Sequence, residues 1–133
     1  MNITLEQAEI VIKTAKEKAK QIGKLMNIAV VDAGNNLVAF ARMDDAWLGS
    51  IDLAICKAKT ARYFNMTTAE LGKLSQPGCP AWQIEQSNGG LVTLPGGIPI
   101  KNNNGQIIGA VGASGDFPEN DQAVAQAGAD ALA

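Results

Sequence analysis

The side chains best suited to ligand chemistry lie next to predicted turns or on one helix. Arg42 and Asp44 follow a predicted strand, and Lys57 lies within a predicted helix. Arg42 is a candidate to hold a ligand carboxylate through two parallel hydrogen bonds, with Asp44 beside it. The structural alternative is an Arg–Asp pair that fixes the loop. Lys57 is a candidate for contact with an anionic ligand, or else a charge at the rim of the helix or in solvent.

The segment Pro95-Gly96-Gly97-Ile98-Pro99 is the strongest pocket candidate. Two glycines without side chains leave backbone amides open, and the flanking prolines restrict the loop. Such amides can bind a carboxylate without a charged side chain. We therefore predict ligand contacts from Pro95, Gly96, Gly97 and Pro99, with a rigid hairpin turn as the alternative.

A second glycine pattern, Gly109, Gly112 and Gly115, has the spacing G-x-x-G-x-x-G. It matches neither the dinucleotide fingerprint nor the phosphate-binding P-loop. The carboxylates of Asp116 and Glu119 stand where the next helix begins, and they would repel a phosphate there. These glycines are therefore predicted to serve turns and close packing between a strand and a helix.

Composition excludes several functional classes. The chain has no histidine, which rules out Ser-His-Asp and Cys-His catalysis, and we expect no metal site. No basic residue follows Lys101, and no basic stripe is interleaved with aromatic residues, so nucleic acid is not an expected partner. No apolar run approaches the roughly 20 residues of a membrane span. Two cysteines make no disulfide framework, so we expect a reduced, cytoplasmic protein without membrane contact.

Low charge indicates self-association. Charged residues make up 18% of the chain, against about 25% in an average globular domain. The helix predicted at residues 50–64 is apolar on two sides, which is typical of a helix packed between two partners. One side is expected to face the sheet and the other a second subunit, so we predict a homo-oligomer.

Hydrophobic periodicity and turn residues predict the element order helix, two strands, two helices, three strands, helix. This order predicts one α+β domain over residues 1–133, with an antiparallel sheet of about five strands. The helices are predicted after a capping box at Thr4, from Ser50 to about Phe64, after Thr67 or Thr68, and from Asp116 or Phe117. The strands are predicted at residues 27–31, 37–40, 91–94, 98–101 and 106–111, with Pro99 favouring an edge position or a bulge.

Three segments together resemble one known family. They are "IAVVDAGNNLVAFARMDDA", "GSIDLAICKAKTA" and "GGLVTLPGGIPIKNNNGQIIGAVGASG". Through them the sequence resembles the GlcG/HbpS-like proteins, also called the haem-degrading or DUF336 domain, and the C-terminal domain of PduO-type proteins. The resemblance covers nearly the whole chain. It implies a profilin-like fold with helices on both faces of the sheet, and assembly from a dimer up to an octamer.

The resemblance also implies a small-molecule ligand. Members are linked to haem binding or breakdown, to glycolate utilisation and to corrinoid or diol metabolism. Haem-binding relatives use a histidine ligand, which this chain lacks. Cys79, in a Gly-Cys-Pro segment, offers a thiolate as an alternative haem ligand, and otherwise it is an ordinary loop cysteine.

The sequence therefore favours an oligomeric small-ligand-binding protein, with haem or another tetrapyrrole, or a small carboxylate metabolite, as the ligand. Two alternatives stay open. One is an enzyme that acts on haem or on an intermediate of a catabolic operon. The other is an accessory or assembly module without a ligand.

Overall fold

The structure is a computed structural model that describes residues 1–133. The first helix, α1 (Leu5–Gln21), begins with the predicted capping box. The Thr4 side chain accepts from the Gln7 amide, and the Gln7 side chain accepts from the Thr4 amide. These bonds satisfy two of the free amides at the helix start. The helix ends just before Gly23, whose φ of +70° suits glycine.

Strands β1 (Asn27–Asp32) and β2 (Leu37–Arg42) form the predicted hairpin. The Asp32 carboxylate accepts hydrogen bonds from the amides of Gly34 and Asn36 within the turn. Asp32 is therefore a turn residue, a common role for an aspartate two positions before a glycine.

Five further elements follow in chain order: α2 (Gly49–Phe64), α3 (Thr68–Leu74), β3 (Gly97–Lys101), β4 (Ile107–Ser114) and α4 (Pro118–Asp130). A short 3-10 turn, Ile84–Gln86, lies between α3 and β3. The four strands form one antiparallel sheet in the order β2-β1-β4-β3. Pro99 lies in β3 at the edge of this sheet, where a residue without an amide hydrogen is tolerated, so the edge prediction is confirmed.

The sheet has four strands, so the prediction of about five was one too many. Residues 91–94 do not pair with the sheet. Their backbone bonds go elsewhere: the Leu91 amide donates to the Glu85 carbonyl, and the Val92 amide donates to Thr60 Oγ1 in α2. The Thr93 carbonyl lies against Gly72 of α3. The segment of residues 91–94 therefore packs against helices α2 and α3 and does not join the sheet.

Helices cover both faces of the sheet, as expected. Helices α1 and α4 pack on one face, where the main core includes Val11, Val30, Val111 and Val124. Helix α2 packs on the other face, where Ala58 and Ala61 contact Val31 and Ala110. None of the helices combines the length and the hydropathy needed to span a bilayer.

Two details of α2 differ from expectation. Ser50 is not the cap: the residue before the helix is Leu48, and no side chain caps the helix start. The second side of α2, expected to face another subunit, carries Thr60, which is buried and whose Oγ1 accepts a hydrogen bond from the Val92 amide. The segment of residues 91–94 covers that side of α2, which periodicity within the helix alone does not reveal.

Candidate functional site

A buried ion pair joins three elements behind the β3 strand. Lys57 of α2 and Asp121 of α4 lie 2.9 Å apart, and their side chains are only 1% and 5% exposed. Lys57 Nζ also donates to the Ala113 carbonyl of β4 at 3.1 Å. Asp121 Oδ1 accepts from the amides of Gly115 and Asp116. The pair therefore fixes α2, the end of β4 and the start of α4 to one another.

Burial disfavours the charged form of both residues in this pair. It lowers the pKa of Lys57, and the nearby Asp121 carboxylate acts in the opposite direction. Burial likewise raises the pKa of Asp121, against the effects of Lys57 and of the amides of Gly115 and Asp116. A buried charge with good hydrogen bonds is retained only while its partner remains, so each residue depends on the other.

The structure overturns the rim or solvent placement of Lys57, which is fully buried. It also overturns the expectation of open amides in the Pro95–Pro99 segment. The Gly96 amide donates to Gln122 Oε1 at 3.1 Å, and the Gly97 amide donates to Thr68 Oγ1 at 2.9 Å. Both glycines are buried, so their amides already serve the fold.

Gly97 and Gly112 instead allow α2 to approach the sheet. They are paired across β3 and β4. A Cβ at Gly97 would overlap the Lys57 carbonyl, and one at Gly112 would overlap the Ala54 carbonyl. Close helix–strand packing, predicted for Gly112, thus extends to Gly97.

The most suitable surface for a ligand is a cleft of about 220 Å³ that we call the Trp47 cleft. Three turns meet there: the one after α1, the one after β2 and the one after β4. Trp47 is 65% exposed, and Leu48 and Phe117, which adjoin lining residues in the chain, are 74% and 71% exposed. The cleft is lined by Gly23, Lys24, Leu25, Asp45, Ala46, Trp47, Gly115 and Asp116.

The buried pair supports this cleft from behind. Gly115 and Asp116 line the cleft, and their backbone amides donate hydrogen bonds to Asp121 Oδ1. Asp116 also pairs with Lys24 across the cleft at 3.6 Å. A hydrogen bond from Asn120, together with Lys24, lowers the pKa of Asp116. The only cation that lines the cleft is therefore held by an exposed pair, which a ligand carboxylate can replace.

Arg42 and Asp44 lie beside the cleft without lining it. Arg42 is exposed, and its Nη1 donates to the Ala46 carbonyl at 3.0 Å. No ion pair joins Arg42 to Asp44 or Asp45, so the predicted Arg–Asp pair is wrong. Arg42 fixes the turn through a backbone oxygen instead. Asp45, rather than Asp44, lines the cleft.

The other candidate residues lie apart from this cleft. Pro99 lines a different cleft of about 310 Å³, together with Glu70, Lys101 and Asp130. That surface is lined by no aromatic residue, whereas Trp47 lines the Trp47 cleft, so it offers no ring for stacking. Pro95 is half-buried before Gly96. Cys79 lies in the turn after α3, where its amide donates to the Gln76 carbonyl, and it lines neither cleft.

Sequence reasoning missed Asp121, Lys24 and Trp47. Asp121 stands at a helix start, where a carboxylate is expected to satisfy local amides, and nothing in its neighbours points to Lys57, 64 positions earlier. Trp47 was overlooked although an exposed aromatic residue after a strand is a common ligand contact. The Cys56 thiol offers no replacement chemistry, because burial and the nearby Asp52 raise its pKa.

Comparison with known proteins places these features in a family. The family described as "Haem degrading protein HbpS-like" matches residues 3–130 of this chain. A Citrobacter freundii protein named "Uncharacterized 15.0 kDa protein in dhaT-dhaS intergenic region" is 36% identical over 129 residues. The match covers 96% of this chain and 90% of that protein.

Two solved structures are similar over nearly their whole length. The Klebsiella pneumoniae protein ORFY, a DUF336 protein, is 34% identical with a TM-score of 0.93, covering 98% of this chain and 90% of that one. The PduOC:heme complex is 32% identical with a TM-score of 0.92, covering 99% of this chain and 96% of that one.

Proposed function

The chain belongs to the HbpS-like family, and from this we propose that it binds a tetrapyrrole, or a small carboxylate metabolite, at the Trp47 cleft. The observation that carries the proposal is the meeting of an exposed aromatic face with a cation in one cleft. The structural similarity to a PduO fragment in complex with haem supports a tetrapyrrole as the first candidate.

The size of the cleft limits how such a ligand is held. Sites that enclose a drug-sized ligand usually have roughly 300–1,000 Å³, and the Trp47 cleft has about 220 Å³. A tetrapyrrole is therefore held by one edge, with its ring against Trp47 and one of its carboxylates near Lys24. A small carboxylate metabolite would fit inside the cleft and use Lys24 alone.

The lining residues fit a porphyrin ring and its carboxylates, and they do not fit iron ligation. The chain has no histidine, and the cleft is lined by no cysteine, methionine or tyrosine. These are the protein ligands usual for haem iron. The proposal therefore rests on ring and charge contacts. Cys79 stays the thiolate candidate if iron is ligated elsewhere on the chain.

Titration with haemin and with metal-free protoporphyrin tests this proposal. If the ring and the carboxylates carry binding, both compounds should bind with similar affinity, and Cys79→Ala should leave the affinity unchanged. Binding of haemin alone, lost in Cys79→Ala, would reject the cleft in favour of a thiolate site. Failure of both compounds to bind, with a small dicarboxylate binding instead, would select the metabolite.

We also propose that the protein is a cytoplasmic homo-oligomer. Exposed Tyr63 and Trp82, 49% and 56% accessible and outside the Trp47 cleft, support self-association. The two free cysteines, Cys56 and Cys79, support a reducing compartment. Light scattering at micromolar concentration should give at least a dimer, and a monomer would contradict the assembly.

An enzyme acting on haem is the weaker alternative. Its best nucleophile, Cys56, has Asp52 Oδ2 within 3.7 Å, and its raised pKa disfavours the thiolate. The other alternative is an accessory module without a ligand, in which the exposed aromatic residues at the cleft would contact another protein. Unchanged protoporphyrin fluorescence on addition of the protein would favour that module.

A further inference from the structure

Two Asn-Gly dipeptides occur in the chain, and their glycine amides differ in hydrogen bonding. They are Asn88–Gly89 and Asn104–Gly105. Asn88 itself also has a left-handed backbone, with φ of +53°, and Asn104 does not. All four residues are exposed, and a Cβ at either glycine would meet nothing within 4 Å. The glycines also share a left-handed backbone, with φ of +75° at Gly89 and +77° at Gly105. Sequence, exposure and the glycine backbone are thus matched.

The hydrogen bonding of the two glycine amides is not matched. The Gly105 amide donates to the Asn102 carbonyl at 3.0 Å, and the Asn104 amide donates to Asn102 Oδ1 at 2.9 Å. Around Asn88, the amides of Gly90 and Leu91 donate to the carbonyls of Ser87 and Glu85. The Gly89 amide makes no hydrogen bond to the chain, and Gly89 is an exposed residue.

We propose that Asn88 is a site of spontaneous deamidation, and that Asn104 is protected. The Gly89 amide nitrogen loses its proton to water or hydroxide and attacks Cγ of Asn88. A bond forms between that nitrogen and Cγ, the bond from Cγ to Nδ2 breaks, and ammonia leaves with a proton from solvent. Water then opens the cyclic imide at either carbonyl carbon, which gives aspartate or isoaspartate. No oxidant or reductant takes part.

The geometry explains why Asn88 is the more reactive of the two. A backbone nitrogen that already donates a hydrogen bond loses its proton less readily, and the bond also holds that nitrogen within the β-turn. The Gly105 nitrogen is in that state and the Gly89 nitrogen is not. Glycine after the asparagine leaves the approach to Cγ unhindered at both places. The Asn88 side chain has one bond, from Nδ2 to Ser87 Oγ at 3.1 Å, within the exposed turn.

Conversion adds one negative charge to a chain of formal net charge −2. The charge appears between the 3-10 turn at Ile84–Gln86 and residues 91–94, which cover α2. Isoaspartate also lengthens the backbone within the turn that the bond from Gly90 to Ser87 closes. The change is therefore confined to this surface loop and leaves the sheet and the Trp47 cleft intact.

Peptide mapping of the full-length protein by mass spectrometry, during incubation at mildly alkaline pH, tests the proposal. The peptide with Asn88 should exchange NH₂ for OH several-fold faster than the peptide with Asn104. In protein unfolded with guanidinium, the two rates should become similar. Equal or faster conversion of Asn104 in the folded protein would overturn the proposal. So would an unreactive Asn88 under conditions where the unfolded chain converts.

Two variants test the stated cause. Gly89→Ala should slow conversion at Asn88 and leave Asn104 unchanged. Asn102→Ala removes the Oδ1 that accepts from the amides of Asn104 and Gln106. This should loosen the turn that holds the Gly105 amide on the backbone carbonyl of residue 102, and the Asn104 rate should then rise toward that of Asn88. An Asn104 rate that stays low in Asn102→Ala, with that turn shown to be loosened by hydrogen exchange, would reject hydrogen bonding as the protection.

Discussion

The Lys57–Asp121 pair and the Trp47 cleft share Gly115 and Asp116 but use opposite chemistry. On the inner side, two charges are almost completely removed from solvent, and each makes hydrogen bonds within the chain. On the outer side, an aromatic ring and a loosely paired lysine are exposed to solvent. The charges of Lys57 and Asp121 already have partners within the fold, whereas Trp47 and Lys24 are accessible to a ligand.

This contrast shows why charge and apolarity alone do not locate a site. Lys57 was placed at the rim of its helix or in solvent and is the most deeply buried cation, while Trp47, an aromatic residue, is exposed. Availability is decided by existing partners. Removing an inner group should therefore cost stability, and removing an outer group should cost affinity.

The largest effect is expected from Lys57→Met, which leaves the Asp121 carboxylate buried without its cation and the Ala113 carbonyl without its donor. Breaking a buried pair costs about 3–5 kcal/mol of unfolding free energy. Chemical denaturation measures it. Adding Asp121→Asn, which keeps an oxygen for the amides of Gly115 and Asp116, should recover part of the loss. Simple additivity of the two substitutions would show that the residues do not depend on each other.

A smaller loss is expected from Gly97→Ala, because the added methyl group meets the Lys57 carbonyl and the Thr68 side chain. Overpacking of this kind costs about 1–3 kcal/mol. Gly49→Ala in α2 is the matched control, since its Cβ meets nothing within 4 Å and its φ is not positive. Thermal unfolding should separate the two variants. Equal midpoints would mean that β3 and α2 move apart freely at this contact.

The smallest effect concerns the partly buried carboxylate of Asp116, whose pKa is lowered from its usual value of 3.8. A carboxyl group whose pKa is lower in the folded than in the unfolded protein stabilises the fold at pH values above its unfolded-state pKa. This contribution is lost as pH falls through its folded-state pKa. Asp116→Asn should therefore be slightly less stable than wild type above pH 3.8, and the difference should shrink as pH falls below that value toward the lower folded pKa. A difference that grows on acidification would reverse the assigned sign.

Local patterns in the sequence predicted most of the fold. The capping box at Thr4, the turn at Asp32 and the edge proline Pro99 each follow from neighbours a few positions away. Residues 91–94 were predicted as a strand because they include apolar residues. Apolar residues alone do not distinguish a strand paired in a sheet from a segment packed against α2 and α3. That distinction depends on Thr60 and Gly72, which lie far away in the chain.

The candidate site was less predictable because long-range partners define it. Arg42 was placed near the right turn, but its acceptor is a backbone oxygen, which has no sequence signature. The amides of Gly96 and Gly97 were expected to be open, and Gln122 and Thr68 occupy them from distant helices. The lining of the Trp47 cleft comes from three separate turns, and no local motif joins them.

The most direct test of the Trp47 cleft is a paired measurement on Trp47→Ala and Trp82→Ala. Both tryptophans are exposed, at 65% and 56%, and only Trp47 lines the cleft. Protoporphyrin affinity and the thermal midpoint should be measured on each variant. We predict that Trp47→Ala loses at least tenfold in affinity, about 1.4 kcal/mol, with a midpoint near wild type, and that Trp82→Ala binds like wild type. Wild-type affinity in Trp47→Ala, or an equal loss in both variants, would contradict the assignment of this cleft.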